Sequence, residues 1–267
     1  MLAAVVATLL VAALLAFLLL PAGEHGGFDY DDPFDHFPRG ETAGAARKVS
    51  DAPDADRRLV AFLRFVTNDV QGFWEQEFRR GGADYQPAQL LVFEDVVQTG
   101  CGPGSEATGP FYCALDRSVY LDLDFFRALA VEFKSPGDFA QAYVIAHEIG
   151  HHVQNLTGVT AQVQQAQIDG RAPPSVLSIS MELQADCLAG VWGHSTYERG
   201  LLDRGDLDEG LRAAAAVGDD RIQKRTTGRI DPETWTHGSS QQRRTWLLRG
   251  FEKGDPGACD TFSPQTI

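Results

Sequence analysis

Positive charge is scarce in this chain: 23 Lys and Arg face 37 Asp and Glu, for a formal net charge of −14. No Lys/Arg-rich stripe is available to pair with phosphates, which excludes nucleic acid as a partner. Cysteine is also scarce. The four present have no Cys-x-x-Cys spacing, which excludes a zinc-ribbon site. No segment repeats itself. No Lys or Arg precedes the apolar run Leu2–Leu20.

What is present is apolar and patterned. Hydrophobic residues make up 43% of the 267, enough for one substantial core, or one core with an appended subdomain. The Leu2–Leu20 run is long enough to cross a bilayer, and Pro21 ends it. A retained anchor is the first reading; a cleaved signal or a buried helix are the alternatives. The acids Glu24, Asp29, Asp31, Asp32 and Asp35 follow, and Arg39 is the first basic residue. Poverty of Lys/Arg there suggests the exported side. The expected organisation is an anchor or signal over 1–21, a flexible linker over 22–56, and one folded domain over 57–267. The expected place is the extracytoplasmic face of the cell membrane, or outside the cell if the leader is cleaved. Cys101 and Cys113 bracket a Gly/Pro-rich loop that a bridge would staple. Cys187 and Cys259 can pair or remain buried thiols.

Apolar spacing predicts a helix over 56–80 through Leu59, Phe62, Leu63, Phe65, Val66, Val70, Phe73 and Trp74, stopped by Gly81-Gly82. Strands are expected over 89–97 and 118–123, paired with each other, and a short helix over 125–133. Ser135-Pro136-Gly137-Asp138 reads as a helix start with Ser135 at the cap, and Gly158 as that helix's stop. Residues 159–174 read as a mobile, Gln-rich connection. Further helices are expected over 175–197, 206–225 and 239–253. The fold class is α+β, mostly α-helical, with a small β-sheet.

The helix before Gly158 carries His147-Glu148-Ile149-Gly150-His151. Two histidines four residues apart share one face, within reach of a single tetrahedral metal ion. Glu148 between them points to where a reacting water would sit, and is the expected catalytic base. A catalytic zinc site takes three protein ligands. The helix Met181-Glu182-Leu183-Gln184-Ala185-Asp186 offers Glu182 as the third, with Asp186 accepting the other ring N–H of a ligand histidine. His194 and His237 compete for the third position. His152 points off the metal face and reads as hydrogen-bonded or partly exposed. Gly150 permits close approach of another element. His237 is the first candidate for donating to a tetrahedral oxyanion, with Arg243 and Tyr143 behind it. One Zn2+ ion, a peptide or protein substrate and hydrolysis through Glu148 are therefore expected. A zinc-stabilised envelope scaffold without peptidase activity is the rival from another class, and a zinc amidase of cell-wall peptides differs only in substrate.

Several stretches together resemble a bacterial family of neutral zinc metallopeptidases. They are Cys101-Gly102, Gly109-Pro110-Phe111-Tyr112-Cys113, Val119-Tyr120-Leu121-Asp122, the Ala142–Gln154 segment around the histidine motif, Glu182–Cys187, Gly218-Asp219-Asp220-Arg221, Thr236-His237-Gly238 with Gln242-Arg243, and Cys259-Asp260-Thr261-Phe262. The resemblance implies a zincin-like, membrane-attached or exported zinc peptidase with a glutamate third ligand, like the gluzincins. It carries over His147, His151 and Glu182 as metal ligands and Glu148 as base. The chain departs from the family in lacking a basic, Gly-rich stretch before the apolar run.

Overall fold

A computed structural model describes residues 54–105, 109–131 and 137–263. The expected anchor and nearly all of the expected linker lie outside these. Among the described residues no helix is long and apolar enough to cross a membrane.

Helix α1 (Asp54–Arg80) begins inside the stretch expected to be linker. It buries Val60, Leu63, Val66, Val70 and Trp74 at three- and four-residue spacing. Phe65, counted in the expected stripe, is 63% exposed because it falls off that face. Gly82 adopts φ 77 and ends the helix as expected.

The expected strand over 89–97 is two strands. Asp95 takes a left-handed turn (φ 66) between β1 (Gln89–Phe93) and β2 (Val96–Thr99). Strand β2 pairs antiparallel with β3 (Gly102–Ser105). Strands β4 (Phe111–Cys113) and β5 (Ser118–Asp122) complete a second sheet in the order β1-β5-β4. The expected pairing holds: β1 runs parallel to β5, with Leu90 opposite Val119. β5 is central and buried throughout. β4 runs antiparallel to β5 and is an edge of the sheet. Disulfide Cys101–Cys113 joins the end of β4 to the turn before β3, as the loop spacing suggested.

Helix α2 (Leu123–Val131) leads to α3 (Asp138–Leu156), which carries the histidine motif. Its N-cap is Gly137, not Ser135, and no side chain caps it. α3 is buried on nearly every face, as a helix at the centre of a core must be. Gly158 at φ 80 separates it from α4 (Val159–Ile168). The latter occupies the stretch expected to be a mobile connection: its Gln and Ala residues are good helix formers, and only Val163 is buried.

α5 (Pro174–Glu198) and α8 (Ser240–Lys253) cross closely, because Gly190 and Gly250 face each other's backbones. A Cβ at Gly250 would stand 1.9 Å from the Cys187 carbonyl oxygen. α8 starts in a capping box formed by Ser239 and Gln242. Disulfide Cys187–Cys259 ties α5 to the segment after α8, which settles the alternative between bridge and free thiols. The helix expected over 206–225 is broken into α6 (Asp206–Ala216) and α7 (Asp219–Thr226). Gly218 takes an extended conformation there, and a Cβ on it would meet the Ser240 backbone nitrogen at 2.3 Å. The contact with the start of α8 bends the chain where local propensity alone would continue the helix. The result is an α+β, mostly helical unit with α3 at its centre, packed by α1, α5 and α6.

Candidate metal centre

The four-residue spacing on α3 brings the His147 and His151 rings to 4.7 Å between centroids. α5 presents Glu182 to both. Its carboxylate lies 3.2 Å from His147 Nε2 and 3.4 Å from His151 Nε2. Ligands bonded at 2.0–2.1 Å to one tetrahedral zinc ion stand about 3.3 Å apart, so the three donors fit that ion. All three sit within one group whose ligand atoms lie within 4.8 Å of one another. Gly150 makes the approach of the two helices possible, since a Cβ there would stand 3.0 Å from the Ala185 carbonyl oxygen. The competing histidine His194 is elsewhere, bonded to the Phe251 carbonyl at 2.7 Å and near Glu198.

Burial opposes ionisation of Glu182, but the charge of His151 and the hydrogen bonds of both imidazoles hold its carboxyl well below the ordinary range. Burial pushes His147 down, and Asp186 more than reverses this, raising the imidazole to about 10. A buried and a half-buried carboxylate beside two imidazoles form a set that a divalent cation stabilises.

Asp186 stands where the spacing on α5 suggested. Its Oδ1 is 2.9 Å from His147 Nδ1, leaving Nε2 for a metal. The carboxylate also accepts from Tyr143 Oη at 2.6 Å, from Arg243 Nε at 2.8 Å and from Arg243 Nη2 at 3.0 Å. Tyr143 and Arg243, expected as reserve oxyanion donors, both donate to Asp186. Arg243 Nη2 also lies 3.3 Å from the His147 ring nitrogens and 3.8 Å from Glu182 Oε2, and both residues line the cleft into which Glu148 points. His151 has its own support, absent from the sequence reading: Gln154 Oε1 lies 2.8 Å from its Nδ1. Gln154 is held by the Met181 carbonyl and by Gln184, which donates to the Cys259 carbonyl. The signal was there, since Gln154 follows His151 by three positions on one helix.

His152 is fully buried, not partly exposed. Nδ1 lies 2.9 Å from Tyr112 Oη and Nε2 2.6 Å from the Gln86 carbonyl oxygen. Burial holds it below the ordinary histidine range.

Glu148 points into an open cleft of about 750 Å³ that His147, His151, Glu182 and His237 also line. Burial raises its carboxyl above the ordinary value, partly offset by the two histidines. Across the cleft, the Asp219 carboxylate gathers the His237 segment. One oxygen accepts from the backbone N–H groups of Thr236, His237 and Gly238; the other lies 3.1 Å from His237 Nδ1. This bond raises the His237 pKa above its ordinary value. Its side chain is 49% exposed. The Gly218–Arg221 segment thus bonds to the His237 segment through Asp219. Asp220 instead accepts from the Ser240 N–H and hydroxyl.

One further wall of the cleft is β4 with its lead-in, through Gly109, Pro110, Phe111 and Tyr112. Its free edge carries no strand among the described residues.

Comparison with known proteins agrees with this geometry. A family model described as "Putative neutral zinc metallopeptidase" matches residues 12–262. The uncharacterized protein YpfJ of Escherichia coli is 46% identical over 219 residues, covering 82% of this chain and 75% of its own. An uncharacterized protein of Mycobacterium tuberculosis is 46% identical over 222 residues, covering 79% of this chain and 73% of its own. No solved structure matches the chain.

Proposed function

The chain belongs to this neutral zinc metallopeptidase family, and from that premise we propose that it is a zinc-dependent endopeptidase of zincin-like build, working outside the cytoplasmic membrane. One observation carries the reading. Two imidazoles and a carboxylate converge at zinc-ligand spacing, while a second glutamate, Glu148, stands free of that set in the same cleft. A purely structural site has no use for that second carboxylate.

His147, His151 and Glu182 would hold one zinc ion, which supplies Lewis-acid chemistry by polarising a carbonyl and acidifying water. Asp186 and Gln154 orient the two rings from behind. Glu148 takes a proton from the attacking water and returns it to the leaving amine. Its raised pKa brings the carboxylate nearer to the pH at which both transfers are efficient. His237, whose pKa Asp219 raises, donates in its protonated form to the oxyanion of the tetrahedral intermediate. An extended peptide adds to the free edge of β4 by backbone hydrogen bonds, which presents its carbonyl to the cleft.

The location rests on the Leu2–Leu20 run, the acidic stretch after it and the two disulfides, which belong in an oxidising compartment. The folded domain then stands outside, tethered or released.

Glu148→Gln is the test. The variant binds zinc as the parent does and hydrolyses no peptide in an unbiased library. Full hydrolysis by E148Q would remove Glu148 from the reaction; a parent that cleaves nothing with zinc bound would favour the scaffold.

A further inference from the structure

The motif histidine that binds no metal has both ring nitrogens engaged. Gln86 offers a carbonyl oxygen, which only accepts, so His152 Nε2 carries the hydrogen at 2.6 Å. Nδ1 lies 2.9 Å from the Tyr112 hydroxyl, and the Tyr112 oxygen accepts from Asn155 Nδ2 at 2.9 Å. The series Asn155, Tyr112, His152, Gln86 is thus continuous. The amide of Asn155 also reaches the Ala114 carbonyl just beyond β4, at 3.4 Å.

These groups join three elements. His152 and Asn155 lie on α3, with His152 next to the ligand His151. Tyr112 is the middle residue of β4, and Gln86 leads into β1. The sheet order is β1-β5-β4, so both outer strands are referred to one turn of α3. The side chains of the series are not interchangeable. A phenylalanine at 112 fills the same space but removes the hydroxyl that links His152 Nδ1 to Asn155 Nδ2.

Resting on the reading that substrate extends along β4, we infer that His152, Tyr112 and Asn155 are positioning residues. They set the height of the β4 edge above the metal ligands, and so align the peptide rather than the zinc. The same bonds would serve mere rigidity if the edge bound nothing, so the discriminating quantity is substrate affinity at constant metal content.

The experiment compares the parent, Tyr112→Phe and Asn155→Ala as zinc-loaded proteins, on a peptide found in an unbiased cleavage screen. Zinc stoichiometry is measured by elemental analysis. In parallel, Kd for that peptide is measured with each substitution placed in the E148Q background. For Y112F the expectation is a KM and Kd raised roughly tenfold, kcat within about twofold, and zinc content unchanged. N155A shifts KM in the same direction by less, and carries the test alone should Y112F not fold. Unchanged KM and Kd in both variants overturns the inference while the peptidase reading stands. Loss of zinc from Y112F also overturns it, because the tyrosine would then support the metal. A parent that hydrolyses no peptide overturns the reading and the inference together.

Discussion

Replacing Asp186 by Asn separates what this carboxylate does for the fold from what it does for the metal. The residue is 0% exposed and Arg243 is 4% exposed. Asparagine keeps one acceptor oxygen but removes the charge, so the buried guanidinium loses its nearest counter-ion and keeps only Glu182, 3.8 Å away. Breaking a buried pair from one side costs about 3–5 kcal/mol. Independently, His147 Nδ1 loses its anionic partner, and such losses weaken metal binding about 10- to 100-fold, or about 1.4–2.7 kcal/mol. The two effects are told apart with the double variant D186N/R243M, which replaces the pair by neutral groups. Most of the stability returns, since an apolar replacement of a buried pair is commonly neutral or better. The zinc affinity does not return, because the anionic hydrogen-bond acceptor is still missing. The assays are thermal unfolding of the metal-free proteins and zinc competition against a fluorescent chelator. If D186N binds zinc within about twofold of the parent, the support assigned to Asp186 is wrong.

Other perturbations address separate links. Because Asp219 holds the His237 imidazole above its ordinary 6.5, the donor form prevails at low pH and is lost as pH rises through the raised value. Asp219→Asn should move the alkaline limb of kcat/KM down toward about 6.5, and an unmoved limb would detach His237 from the rate. Gly150→Ala places a methyl 3.0 Å from the Ala185 carbonyl. It should cost about 1–3 kcal/mol by forcing α3 and α5 apart, seen as a lower Tm and weaker zinc binding; an unaltered Tm would show that the helices can yield. Removing the Cys187–Cys259 bridge, whose cysteines are 72 positions apart, should cost about 4 kcal/mol by loop closure, which denaturant titration of C187A/C259A would read as a lower midpoint.

The parts of this molecule written in local chemistry were legible in the sequence. The His147/His151 spacing needs only a helix, and the Gly81-Gly82 stop is set by neighbouring residues. Glu182 and Asp186 were legible because two acids one turn apart on an apolar helix demand a partner. What long-range packing decides was hidden. Gly218 breaks the helix before α7 because the Ser240 backbone occupies the space of a side chain, and Ser240 is distant in sequence. Asp95 divides one apolar run into two strands of different sheets. Arg243 and Tyr143 carry the right donors for catalysis, and only the fold shows that they also bond to Asp186. His152 is hydrogen-bonded as expected, but its partners, Gln86 and Tyr112, were hidden because they come from other elements.

The zinc position itself is the most direct measurement. Crystals of the zinc-loaded protein, recorded on both sides of the zinc absorption edge, should show one anomalous peak about 2.0–2.2 Å from His147 Nε2, His151 Nε2 and the Glu182 carboxylate. Glu148 should stand outside that coordination shell. A peak at another group of side chains, or none at these three with zinc in excess, would contradict the account.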